Sequence, residues 1–437
     1  MSAIIENNWE QWDELYVWHP YTQMALVPKA LGVESTFGSY LTLTDGRKIF
    51  DGISSWWVTL HGHSHPYIAK AISEQASKLE QVIFAGFTHK PASELAKRLV
   101  EKAPSGLEKV FYSDNGSTAV EVALKLCLQY WQLQKEARTT FLALSHSYHG
   151  DTFGAMSASS RGTFTDPFES LLFNVIHLPF PTPPSDDRKE FSDEEIVFLE
   201  TLTKHCSTNK AIAGFIFEPL LLGAGGMRVW RSKVLQKAIE IARSHQVLTI
   251  ADEVLTGFGR TGTFFATDTI SLSPDLMCLS KGLSGGFMPL GVTLCTKEIF
   301  DTFLSQDRKT TFFHGHSYTG NPISCAAGVA SLAIFDSEPV FDRIEKIKNV
   351  HTERMPILAK EHQSFCRIIG TMAAMEPHSS EGYLSSRSLE IGKKCLVEGL
   401  LLRPLGDTIY FLPPYSTTPD DLHRAYDILT QVLKKSN

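Results

Sequence analysis

From about residue 68 onward, short apolar runs alternate with longer stretches in which apolar residues recur every third or fourth position, and this alternation constrains the fold more than any other feature. "KVFYSD" precedes "STAVEVALKLCLQYWQ"; "TFLALSHSYHG", "AIAGFIFEP", "KVLQKAIEIARSHQ", "VLTIADEV" and "DLMCLSKGL" continue the pattern. Apolar runs of strand length are buried on both faces, and the helices between them supply the cover. We therefore expect an α/β architecture with a mainly parallel sheet sandwiched by helices. Antiparallel pairing is expected at the start, where Asp45-Gly46 in "YLTLTDGRKIFD" divides two alternating runs and marks a hairpin. "TGNPISCAAGVASLAIFD" opens a helix with Asn321 as cap and Pro322 in its first turn. After it come helices and short strands such as "LLLRPLGDTIYFLPP", ending on "TTPDDLHRAYDILTQVL". The expected division is a large domain over residues 66–325 and a smaller α+β domain shared by residues 1–65 and 326–437. Within the large domain "FPTPPSDDRKEFSDEE" reads as a solvated excursion, with Ser192 and Glu195 spaced as a capping box for the next helix.

Open parallel sheets bind ligands outside the carboxyl ends of their strands, so the residues at those ends carry the functional reading. "VLTIADEV" ends in Asp252, an acid that either caps the following turn or meets a cationic ligand atom. The next apolar run, "DLMCL", ends at Lys281. A lysine there either snorkels to water or has a chemical task, because stripping water from an ammonium is costly. In "FYSDNGSTAVEV" a strand runs into the turn Asn115-Gly116-Ser117 and then into a helix. That turn is either an ordinary helix cap or a phosphate cradle, in which Gly116 lets the backbone approach, Ser117 offers a hydroxyl and the helix start offers free N–H groups. "SYHG" places Tyr148 and His149 after another strand, where an aromatic side chain can cover a ligand's face.

Two other motifs lead elsewhere. "GFGRTG", residues 257–262, has the spacing of a dinucleotide fingerprint, but "TFFATDTISLSP" follows it instead of the helix such a site needs. "HGHSH" places His61, His63 and His65 at alternating positions without an acid or cysteine to complete a metal set, and reads as a polar turn.

An amine, an acid and a phosphate cradle on successive strand ends share one explanation: pyridoxal 5′-phosphate, linked covalently to Lys281, with Asp252 keeping the pyridine nitrogen protonated and Gly116 and Ser117 on the phosphate. Charge agrees, since a net −7 gives no basic face for nucleic acid or anionic membrane. Seven scattered cysteines without a C-x-x-C pair, an acidic N-terminus and no apolar run of about 20 residues point to a reduced, cytoplasmic chain outside the membrane.

"IADEVLTGFGRTG", "LSKGLSGGFMPLG" and "HGHSYTGNPISCAAG" resemble the signatures of the class III pyridoxal-phosphate aminotransferases, over nearly the whole chain. "HPYTQM", "GISSWWVTLHGHSHP", "SYHGDTFGAMS" and "LLLRPLGDTIYFLPPY" look like a narrower group within them that makes 7,8-diaminononanoate for biotin. The resemblance implies the fold type I architecture of such transferases and a homodimer in which Ser317 reaches the phosphate of the neighbouring subunit's cofactor. His316-Ser317 stands where the family pattern has Pro-Thr, so a hydroxyl is kept. It also implies 8-amino-7-oxononanoate as acceptor, with adenosylmethionine or lysine as donor. Tyr148 joins Lys281 and Asp252 in the catalytic set. Tyr21, Trp56, Trp57 and Gly315 would line the substrate slot, and Arg403 would hold a terminal carboxylate by a bidentate pair. Another class III enzyme acting on an ω-amino acid or diamine is the nearer rival.

Overall fold

In a computed structural model, which describes residues 9–27, 29–184, 189–377 and 386–435, the central sheet has seven strands. Their order is Leu107–Ser113, Gly291–Thr296, Leu276–Leu279, Leu248–Asp252, Ile212–Phe217, Thr140–Leu144, Val175–Leu178. Gly291–Thr296 runs antiparallel to both neighbours, and every other pairing is parallel. Every residue of Ile212–Phe217 and of Leu276–Leu279 is buried, as expected for strands covered on both faces. Successive side chains serve opposite layers: Ile250 joins the apolar cluster under the helix Gly116–Leu133, and Ala251 the cluster with Val234, Leu235 and Ala238 of the helix Ser232–Ser244.

The parallel register between Leu248–Asp252 and Leu276–Leu279 sets Asp252 opposite Cys278. Asp252 and Lys281 therefore leave the sheet at the same edge. The same edge receives the turn into Gly116–Leu133, whose cap is reciprocal: Asn115 Oδ1 accepts the Thr118 N–H at 2.9 Å, and Thr118 Oγ1 accepts the Asn115 N–H at 3.1 Å.

The hairpin pairs Tyr40–Leu43 with Lys48–Asp51, and Leu400–Leu401 adds to Lys48–Asp51 in parallel, so strands from both ends of the chain share one small sheet. A helix, Trp9–Tyr16, precedes that sheet. The Ser192/Glu195 capping box forms as read, but its surroundings correct the solvated reading: Glu195 is fully buried and is held by Arg231, whose Nε donates at 2.7 Å. Residues 185–188 of that excursion lie outside the described residues. "GFGRTG" forms turns, with a short 3-10 helix only later, at Ala266–Thr269. Among the described residues no single helix is long and apolar enough to cross a membrane.

Candidate active site

A cavity of about 520 Å³ opens at the carboxyl edge of the sheet, lined by Lys281, Asp252, Gly116, Ser117, Tyr148 and Trp57 among others. Residues far apart in sequence meet there because each follows a strand of one mainly parallel sheet or covers its edge.

Lys281 has φ +45°, a left-handed conformation that a side-chain-bearing residue adopts at a cost. Its Nζ stands 4.6 Å from the centre of the Trp57 ring. Desolvation dominates its titration and draws the amine down to about 8, against the pull of Asp252 and Glu218 toward the charged form. Asp252 is buried; its Oδ1 accepts the Val254 N–H at 3.1 Å and its Oδ2 lies 2.7 Å from His149 Nδ1. An ionised carboxylate only accepts, so His149 donates through Nδ1 and turns its buried, unpartnered Nε2 away from the pair. His149, grouped with Tyr148 from sequence as a facial aromatic, thus serves Asp252 instead.

Glu218 was missed. It follows the buried strand Ile212–Phe217, the same acid-at-strand-end signal that drew attention to Asp252. Its carboxylate accepts the N–H of Tyr148 at 3.0 Å and of Gly223 at 2.9 Å, and burial pushes it up to about 7.

At the helix start the N–H groups of Gly116 and Ser117 have no intrahelical acceptor by position. Ser117 Oγ accepts the Asp151 N–H at 2.9 Å, which leaves its own proton free to donate. A Cβ on Gly150, whose φ is +132°, would stand 1.8 Å from that hydroxyl, and one on Gly116 would meet Val254 at 2.7 Å. The cradle is closed by small residues. A phosphate at the helix start, a protonated ring nitrogen on Asp252 and an aldehyde carbon at Lys281 each find a group of complementary chemistry in the one cavity. These residues fit pyridoxal phosphate.

Tyr21, Trp56 and Arg403 lie outside the lining and gather beside it. Tyr21 meets the Tyr148 hydroxyl at 3.2 Å and bonds to Asp151; its ring packs edge-on to Trp56 at 5.5 Å. Arg403 stands over the Trp56 ring at 4.8 Å, and its Nη2 donates to the Tyr21 carbonyl at 3.4 Å. Trp57 is instead buried, with Nε1 donating to the Tyr410 hydroxyl at 2.9 Å. The two neighbouring tryptophans face different places. Gly315 and Ser317 sit exposed and away from this chain's cavity; the Ser317 carbonyl accepts from Gln81 Nε2 at 2.5 Å.

The histidines of "HGHSH" have separate partners: His61 lies 3.1 Å from Ser331 Oγ, His63 2.8 Å from Asp51 and His65 3.2 Å from Glu338. The run bends into the helix Pro66–Ala76 as expected, but His61 is buried rather than facing water.

The family model for "Aminotransferase class-III" matches residues 23–433. The chain belongs to the class III aminotransferases. Among curated relatives, adenosylmethionine-8-amino-7-oxononanoate aminotransferase of Synechococcus elongatus is 46% identical over 422 residues, covering 96% of this chain and 98% of that protein. The enzyme of that name from Geobacter sulfurreducens is 38% identical over 441 residues, covering 97% and 96%. Among solved structures, the Methanocaldococcus jannaschii enzyme of that name superposes with a TM-score of 0.90 at 35% identity, over 98% of both chains. An amine transaminase from an uncultivated Pseudomonas species, solved with pyridoxal phosphate bound, gives 0.90 at 30% identity, over 97% of this chain and 99% of that one. This class III aminotransferase therefore has the fold of the pyridoxal-phosphate transaminases and uses that cofactor.

Proposed function

We propose that this aminotransferase transfers an amino group to 8-amino-7-oxononanoate, giving 7,8-diaminononanoate, in the cytoplasm and as a homodimer. The cavity that joins Lys281, Asp252 and the Gly116–Ser117 turn carries the transamination chemistry of this reading, and the relatives' shared name supplies the acceptor. When bound, the cofactor supplies an electron sink for the bond electrons released at the substrate carbon.

In this assignment Lys281 holds the cofactor between turnovers. Its Nζ, drawn down to about 8, would serve as the base that takes the proton from the donor's carbon. Asp252, oriented by His149, keeps the ring nitrogen protonated. Gly116 and Ser117 hold the phosphate, Tyr148 covers the ring and joins the catalytic set, and Ser317 completes the phosphate site of the partner subunit. Trp57 roofs the lysine. Tyr21 and Trp56 frame the path to the acceptor's far carboxylate, which pairs with Arg403, while Gly315, on the same exposed loop as Ser317, lines the substrate slot of the partner subunit. The guanidinium over Trp56 supports that placement: Nη2 makes one long bond to a carbonyl, and the remaining donors suit an incoming carboxylate. Adenosylmethionine is the donor we propose, after the relatives' name.

The test compares 8-amino-7-oxononanoate with its carboxylate-masked ester. Arg403→Ala should lower kcat/KM for the free acid on the order of a hundredfold, about 2 to 3 kcal/mol, and leave the ester nearly unchanged. Equal losses for both would remove the carboxylate role.

A further inference from the structure

Ser54, Ser55 and Trp57 have φ of +53°, +61° and +68°, three left-handed residues in four, none of them glycine. Ser55, with ψ −75°, is in a tight-turn conformation that L-residues rarely occupy. Such a segment persists only where its surroundings hold it. Asp51 supplies the hold. Fully buried, it accepts the Ile53 N–H on Oδ1 at 3.1 Å and the Ser55 N–H on Oδ2 at 2.6 Å, and His63 Nε2 donates to Oδ2 at 2.8 Å. Ser54 Oγ adds a bond to the Leu412 carbonyl at 2.7 Å. The turn sends Trp57 over Lys281 Nζ and Trp56 under Arg403.

We propose that the Asp51 carboxylate, braced by His63, is a positioning group that holds this left-handed turn so that Trp57 covers the reacting amine while Trp56 carries the acceptor's arginine. One buried charge thereby sets both ends of the acceptor's path. The proposal rests on the assignment of Lys281 as the reacting lysine and of Arg403 as the carboxylate site, and it gives Asp51 no contact with substrate.

The experiment uses Asp51→Asn holoenzyme. An asparagine has one acceptor oxygen, so its amide must face the N–H of either Ile53 or Ser55, and the turn loses a fixing bond. Two readouts go beyond stability: the pH midpoint of the visible band of the lysine-linked cofactor, and kcat/KM for the acceptor. The midpoint should move on the order of half a pH unit or more, as the enclosure of Nζ changes. Acceptor kcat/KM should fall about tenfold or more. Ser55→Gly added to Asp51→Asn should recover part of both, because glycine holds φ near +60° without the carboxylate. A folded Asp51→Asn with lower Tm but both readouts unmoved would show that Asp51 is only structural, and an absent rescue would remove the turn-holding role. Should Asp51→Asn not fold, His63→Ala is measured the same way: shifts in both readouts support the proposal, and two unmoved readouts overturn it. Borohydride labelling separates the levels. Wild-type label away from Lys281 removes the site reading itself, whereas label on Lys281 with unmoved readouts removes only the role of Asp51.

Discussion

At the scale of single residues, the consequential shift is that of Lys281. Burial draws its amine from the ordinary lysine range to about 8, so the neutral, nucleophilic form gains population as pH rises through about 8 rather than through about 10.5. The rate at which apoenzyme takes up pyridoxal phosphate should therefore climb with a midpoint near 8, read by stopped-flow absorbance; a midpoint above about 10 would place the lysine in water. Asp252→Asn tests the partner. It should keep cofactor affinity within about tenfold yet slow proton removal from the donor far more, in single-turnover measurements, since an amide cannot hold the ring nitrogen protonated. Lys281 and Asp252 were legible in sequence because each closes an apolar strand, where an ionised group is conspicuous. Glu218 carried the same signal in "FIFEP", but its contact with the Tyr148 N–H joins segments far apart in sequence. His149 was seen but given no role of its own, because the direction of its ring depends on where Asp252 arrives from another strand.

Elements were the most legible level. Periodicity located five of the seven strands of the central sheet but not Val175–Leu178 or the antiparallel Gly291–Thr296, and composition of the turn located the cap at Asn115 and the glycine at the cradle. Failures came where tertiary burial overrode local polarity: Glu195 sits in an acid-rich run but pairs with Arg231 from a helix start beyond local reach. The left-handed turn at Ser54–Trp57 was also invisible, since serine and tryptophan do not announce positive φ. The cradle gives an element-scale prediction. In Gly150→Ala the new methyl group meets Ser117 Oγ and must displace the helix start or the loop. Pyridoxal phosphate should bind at least about tenfold more weakly, roughly 1.4 kcal/mol or more, by titration of apoenzyme. Unchanged affinity would show that the phosphate lies elsewhere.

For the whole molecule, one sheet joins strands from both chain ends, and the loop with Gly315 and Ser317 stands outside its own cavity. The proposed dimer predicts that Ser317→Ala weakens the partner's phosphate site. In mixed dimers of Ser317→Ala with Lys281→Ala subunits, the subunit keeping Lys281 would receive an intact Ser317 from its partner, so about one full site per mixed dimer should remain, measured as activity and cofactor content. Activity equal to that of the Ser317→Ala homodimer would contradict sharing across the interface. The assembly could not be read from strand periodicity, which records burial within a chain and not between chains. The proposed chemistry depends on a lysine at one strand end being the residue that carries the cofactor. The most direct measurement is borohydride reduction of the holoenzyme followed by peptide mass mapping: the pyridoxyl-phosphate label should fall on Lys281 alone, and none should appear in Lys281→Ala, which should lack turnover. A label on another lysine, or normal transamination by Lys281→Ala, would contradict it.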